Sequence, residues 1–349
     1  MSKTIIVLLV VAVLGFVLFR NYSDFKDSSK RVEVSAVPAV STITTGLEVP
    51  WALAFLPDNS ILVTERKGTV RLIKNGQLEE NPVGKISVKQ TGESGLHGIV
   101  ADPAFNKNNL IYLYYTYSGS GNQTLNRVSQ FKYESQNLSD EKIIVDKIPG
   151  AIFHDGGRIK FGPDGNLYIT TGDALDPSRS QDENSLAGKI LKVVNGHVEV
   201  YSQGHRNPQG ITWDDKGNLW ETEHGNSATD EVNLIEQGKN YGWPTIRGDE
   251  KQPGMESPKT HSGSDTWAPA GMAFYKGSVY FGGLRGQALF QYNIETNELK
   301  EHFKGNLGRI REVVLGPDNM LYITTSNRDG RGNPKEGDDK IVKVNPLKL

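Results

Sequence analysis

Apolar and polar positions fall into two regimes along this chain. Thr4 to Phe19 is an almost unbroken apolar run, interrupted by Gly15, with Lys3 before it and Arg20 after it. From Leu53 onward, short apolar runs alternate with turns built from Pro, Asp, Asn and Gly. One phrase recurs six times: an apolar strand, a tight turn, and a second strand rich in β-branched and aromatic residues. The copies are LAFLPDNSILVTE (53–65), IVADPAFNKNNLIYLYYTY (99–117), IKFGPDGNLYITTGD (159–173), ITWDDKGNLWETEHG (211–225), MAFYKGSVYFGGL (272–284) and VVLGPDNMLYITTS (313–326). Their turn markers, Asp58, Asp102, Asp164, Asp215, Lys276 and Asp318, lie 42 to 62 residues apart. In the PDG and PDN copies, Gly or Asn takes the positive φ that a tight reversal needs. Beyond the N-terminal run, no segment sustains a 3.6-residue period.

A repeat of roughly 50 residues with about four short strands matches one blade of a propeller. Six copies predict an all-β fold, a six-bladed β-propeller over residues 41–349. A blade cannot bury both of its faces alone, so the ring must close. The C-terminal segment DKIVKV (339–344) is expected to pair with residues 41–46 in the last blade. A pair of β-sandwiches or an open solenoid are the alternatives. In a propeller, the loops flanking the inner strands converge on a central channel and can aim polar groups at one ligand.

The N-terminal run is short for a spanning helix, which needs about 20 residues, and it fits a signal-peptide core. No small-x-small cleavage site follows closely; Val34-Ser35-Ala36 lies too far downstream. Residues 1–20 are therefore read as an uncleaved membrane anchor in preference to a cleaved signal or a buried helix. Residues 21–40 are polar and aperiodic and read as a linker. Anchor and signal both place the rest of the chain outside the cytoplasm, in the periplasm or at the cell surface.

The 349 residues carry 39 Lys and Arg against 41 Asp and Glu, without the basic excess of a nucleic-acid binder. The absence of cysteine excludes disulfides, thiolate metal sites and thiol catalysis. No Gly-rich dinucleotide fingerprint, P-loop, HExxH or GxSxG occurs, so redox chemistry here requires a cofactor held without a Rossmann domain.

The chemically distinctive residues lie just before or after the repeated phrases. In FHDGGR, His154 can serve as a general base, and Asp173 at the end of the same phrase can orient it. A structural loop histidine is the plain alternative. In GHRNPQG, Arg206 offers a planar cationic fork and Asn207 both donates and accepts. In TEHGN, Gly225 can present a backbone carbonyl to a hard cation, although the spacing is not that of an EF-hand. Arg309 and Arg311, two apart on a strand, face the same side and repel unless an anion lies between them. Trp267 can stack on a planar ring or plug the channel.

Together FHDGGR, GHRNPQG, TEHGN…DEVNLI…NYGWP and GRIREV…PDNMLYITTSNRDG, in this order, resemble the pyrroloquinoline quinone (PQQ)-dependent soluble glucose dehydrogenase and aldose sugar dehydrogenase family, from about Gly46 to Val344. The resemblance implies a six-bladed propeller that binds PQQ and Ca²⁺ at the top of the channel. It implies oxidation of the C1 hydroxyl of aldose sugars to lactones. It implies catalytic roles for His154, Asp173 and Arg206, and Ca²⁺ ligation by the carbonyls of Gly225 and Asn226. Cofactor contacts are implied for Glu93, Asn207, Trp267, Arg285, Arg309 and Arg311. The partners implied are an aldose sugar, an external electron acceptor such as a quinone or cytochrome, and the membrane through the N-terminal segment. Three positions depart from the glucose dehydrogenase branch. Glu93 stands where that branch has glutamine, Arg285 where it has lysine, and Asn226 where it has proline. A carboxylate at 93 is unfavourable beside anionic PQQ unless it is protonated or paired. A Ca²⁺-dependent lactonase and a non-catalytic binding propeller are the competing readings of the same scaffold.

Overall fold

The computed structural model describes residues 39–349, so the expected anchor and all but the end of the expected linker lie outside the described residues. Among the described residues, twenty-five strands, β1 to β25 in chain order, form six antiparallel sheets. The first strands of the sheets are β2 (Pro50–Phe55), β7 (Leu96–Ala101), β11 (Ile159–Phe161), β15 (Pro208–Trp213), β19 (Pro269–Tyr275) and β23 (Ile310–Leu315). Each touches the first strand of the next sheet, and β23 touches β2, so the ring is closed. These are the six blades of the predicted propeller.

The last blade closes as the sequence suggests. Its order is β23, β24 (Leu321–Thr325), β25 (Ile341–Val344), β1 (Val40–Thr44), so the two ends of the propeller share one sheet. Val40 pairs with Val344 and Thr42 with Val342. Asp339 adds a second latch, because its buried carboxylate accepts from the backbone of Val49 (3.1 Å) and of Asn327 (2.6 Å).

Burial explains the apolar phrases. The second strand of a blade lies between the neighbouring blades and is wet on neither face. Accordingly β12 (Leu167–Thr171), β16 (Leu219–Glu223) and β24 are buried at every position. Outer strands need no such composition: β14 (His197–Gln203) is largely exposed. The core is divided among the blade contacts. Tyr112, Tyr114 and Val128 of the second blade pack on Ile159, Leu167 and Ile169 of the third. Tyr322 and Ile341 of the last pack on Leu53, Val63 and Ile73 of the first.

The turns use one device. In the PDG turn, Gly165 has φ +76°, and Asp164 accepts from the Asn166 backbone (3.1 Å) and the Tyr168 hydroxyl (3.1 Å). Asp318 repeats this with Met320 and Tyr322. The fourth copy corrects the sequence reading by one residue. Asp214, not Asp215, accepts from the backbone of Lys216 and Asn218 and from the Trp220 indole. Spacing alone could not choose between two adjacent aspartates.

Candidate active site

Because the strands of a blade alternate in direction, the residues before a first strand and after a second strand share one end of the channel. That end holds a cavity of about 500 Å³. Glu93, His154, Arg206, Asn207, Gly225, Asn226, Arg285, Arg309 and Arg311 all line it. Asp173 lies directly behind His154. Trp267, like Asp173, does not line the cavity. Its ring packs on Phe281 (5.5 Å) and Phe290 (5.4 Å) in the core of the fifth blade, and only its neighbours Thr266 and Ala268 reach the lining.

His154 is held in an unusual backbone state, φ +62°, which is sparsely populated for any side chain but glycine. Its carbonyl accepts from the Ala174 backbone (3.1 Å). Gly172 makes this possible, since a Cβ there would stand 1.9 Å from the His154 oxygen. The imidazole is gripped at both nitrogens. Nδ1 lies 2.7 Å from Asp173 Oδ1, and Nε2 lies 3.0 Å from Arg206 Nη2. A guanidinium has no acceptor, so Nε2 must be the accepting nitrogen and Nδ1 the one that carries hydrogen. The lone pair is therefore the one that Arg206 engages, and both residues line the cavity. Asn207 ties the two loops together by accepting from the Gly156 backbone (3.1 Å), which leaves its amide NH₂ for a ligand.

The loop after β16 is organised by Asp230, which sequence reasoning did not single out. One of its oxygens accepts from the Gly225 backbone (2.8 Å). The other accepts from Trp267 (2.6 Å) and Ala268 (2.8 Å). Gly225 is sterically required, because a Cβ would lie 1.9 Å from the Ala228 oxygen.

Five arginines line the cavity, and they are not equivalent. Arg309 is paired with the buried Asp329 at 2.8 Å. Arg331, unforeseen from sequence, pairs with Glu93 and lies over the Phe153 ring. Burial pushes Glu93 up, but His224, Arg331 and Arg311 outweigh it and hold the carboxyl below its usual range. His224 is itself pushed down to about 4, chiefly by burial, so the arginines carry this effect at neutral pH. Glu93 is thus ionised and paired, which resolves the conflict seen in the sequence. Arg206, Arg285 and Arg311 have no carboxylate partner among the described residues. Arg311 donates to Gln209 Oε1 (2.6 Å), while its buried Nε has no partner among the described residues; the same is true of Arg206 Nε and His224 Nε2. A buried donor without an acceptor is costly. The cavity is therefore suited to a ligand that carries several anionic acceptors.

A second group of metal-ligand type lies apart from the cavity lining. His205, Glu221 and Glu223 bring ligand atoms within 4.8 Å of one another. Burial, with Glu223 close by, pushes the Glu221 carboxyl well above its usual range, and Glu221 Oε1 has no partner.

Comparison with known proteins agrees with this geometry. A crystal structure of an oxidoreductase of Thermus thermophilus, described as a glucose dehydrogenase, is 40% identical with a TM-score of 0.82, covering 88% of this chain and 99% of that one. The PQQ-bound aldose sugar dehydrogenase of Streptomyces coelicolor is 36% identical with a TM-score of 0.82, covering 88% and 98%. The aldose sugar dehydrogenase of Escherichia coli K12 is 28% identical over 89% of this chain and 94% of its own. Residues 47–333 match the glucose/sorbosone dehydrogenase family, and the chain belongs to it.

Proposed function

We propose that this chain is a PQQ- and Ca²⁺-dependent oxidoreductase that converts the C1 hydroxyl of aldose sugars to the lactone. The observation that carries the reading is the Asp173–His154–Arg206 array facing a cavity in which Arg285 and Arg311 have no carboxylate partner among the described residues. Arg285, Arg309 and Arg311 are suited to hold the carboxylates of PQQ, and the Gly225 and Asn226 carbonyls to hold Ca²⁺. When bound, PQQ supplies an electrophilic ortho-quinone that takes up hydride, with Ca²⁺ as Lewis acid.

The protein's own part follows from the array. A sugar hydroxyl takes the place of Arg206 Nη2 at His154 Nε2 and gives its proton to that lone pair. Asp173, hydrogen-bonded at Nδ1, keeps the tautomer and stabilises the imidazolium that forms. Arg206, released from Nε2, is free to stabilise negative charge that develops beside it. Asn207 contributes its amide NH₂ on the same side. An external quinone or cytochrome would serve as the electron acceptor. The apolar run at Thr4–Phe19 supports an anchored, extracytoplasmic location for this exchange.

The test is dye-linked oxidation of a panel of aldoses, with Ca²⁺ and with or without added PQQ, for the wild type and His154→Ala. We expect activity in the wild type only with PQQ. His154→Ala is expected to lose turnover and keep PQQ binding. Retained turnover in His154→Ala removes the histidine from the role of base. Absence of PQQ-dependent activity and of PQQ binding removes the reading altogether.

A further inference from the structure

Trp243 belongs to NYGWP (240–244), a run the sequence marks only as a packed turn. It follows β17 (Glu231–Ile235) in the fourth blade, yet it reaches back to the third. Its indole Nε1 donates to Asp173 Oδ2 at 2.9 Å. The other oxygen, Oδ1, is engaged by His154 Nδ1 (2.7 Å) and by the Leu175 backbone (2.9 Å). Trp243 therefore supplies the one donor that Oδ2 has among the described residues. The same ring lies under the Arg206 guanidinium, 5.3 Å from its carbon. One side chain thus touches both groups that flank His154.

The ring is itself fixed. Its backbone N–H donates to the Gly204 carbonyl (3.0 Å), and its carbonyl accepts from Gln181 Nε2 (2.7 Å). Gln181 also exchanges amide hydrogen bonds with Asn240 (3.1 and 2.7 Å). At 9% exposure the indole is close to fully buried, so its N–H has no water to turn to if Asp173 moves.

We infer that Trp243 is a positioning residue for the reaction: it locks the Asp173 carboxylate against His154 and holds Arg206 beside the same imidazole. This rests on the reading of His154 as the base. Removing the N–H leaves Oδ2 free to rotate toward other donors, and the imidazole loses its fixed direction. A base misaligned in this way slows proton transfer without weakening the binding of sugar or cofactor.

The experiment replaces Trp243 with 3-benzothienylalanine, which keeps the fused ring and deletes only the N–H, and with Phe. Three quantities are read: kcat and KM with PQQ and Ca²⁺, the PQQ Kd, and the low-field proton resonance of the His154–Asp173 hydrogen bond in the apoprotein. Loss of a hydrogen bond to a buried carboxylate predicts a fall in kcat of about 10- to 100-fold, with KM and PQQ Kd within about threefold of wild type. The low-field resonance is expected to shift or broaden in both variants. An unchanged kcat, an unmoved resonance, or a collapse of kcat, KM and PQQ binding together each overturns the inference. Because the resonance is read without cofactor, it decides the inference even if the wild type oxidises no sugar, an outcome that sinks only the functional reading.

Discussion

Arg311 and Arg309 line one cavity two residues apart, yet removing them must have opposite effects on the empty protein. Arg311 is buried, and among the described residues it has no carboxylate partner and its Nε has no acceptor. Burial pushes its guanidinium down to about 9, against the opposing pull of Asp329 and Glu93. In the unfolded chain the group keeps the far higher pKa of an ordinary arginine. The folded state therefore penalises the charged form, and the penalty is complete below pH 9 and fades as pH rises toward the unfolded value. The shift sets a ceiling of roughly 5 kcal/mol, of which about 1–3 kcal/mol is realistic given relaxation around a buried charge. Arg311→Gln keeps a donor for Gln209 and deletes the charge. We expect the apoprotein to gain that stability, a rise in Tm of about 2–5 °C. PQQ binding should weaken by about 10- to 150-fold, the worth of one charge-assisted hydrogen bond. Arg309→Gln provides the contrast, because it removes the paired cation from the buried Asp329 carboxylate and should cost the apoprotein about 1–3 kcal/mol. Thermal scans of the cofactor-free variants and fluorescence titration with PQQ measure both. A destabilised Arg311→Gln apoprotein, or one that binds PQQ as tightly as wild type, refutes the idea that the fold spends stability on this charge to prepare the site.

Two further outcomes follow from charges and burial near the same end of the channel. Glu93→Gln deletes a carboxylate from the cavity wall and frees Arg331, so PQQ should bind about 3- to 10-fold tighter at low salt, the scale of a partly exposed ion pair. Titration at low and high salt checks this, and unchanged or weaker binding contradicts it. His97, buried between the Trp51 and Tyr114 rings, is pushed down to about 3 chiefly by burial, whereas the unfolded chain takes up that proton near 6.5. The stability it contributes is present above pH 6.5 and is lost as pH falls toward 3. His97→Gln should flatten the dependence of Tm on pH between 6 and 4 by about one proton, and an unaltered slope would count against this account.

What the sequence discloses divides along a physical line. The propeller is legible because a blade is a local object. Its strands are neighbours in the chain, its turns reuse Asp with Gly or Asn, and burial on both faces selects the uncharged aromatic and β-branched LYITT runs at Leu167–Thr171 and Leu321–Thr325. Even the closure is visible, since a first strand without a partner and a last strand without a partner require each other. Much of the site is legible for the same reason: His154, Arg206, Gly225 and Arg311 stand beside these phrases, where any propeller sends residues to the channel. Partnership between blades is what the sequence conceals. Glu93 and Arg331 are 238 positions apart, and Trp243 meets Asp173 across 70. Nothing local marks Arg331 as the counter-ion of Glu93, or separates Arg309, which has Asp329, from Arg311, which has only Gln209. Trp267 shows the converse: a large aromatic beside the channel serves the core equally well, and Phe281 with Phe290 provides a dry place for its ring. The chemistry of the cavity therefore lies less in which residues are present than in which of them remain unpaired once the ring has closed. That is a property of the closed ring, and Arg206, Arg285 and Arg311 acquire it only there.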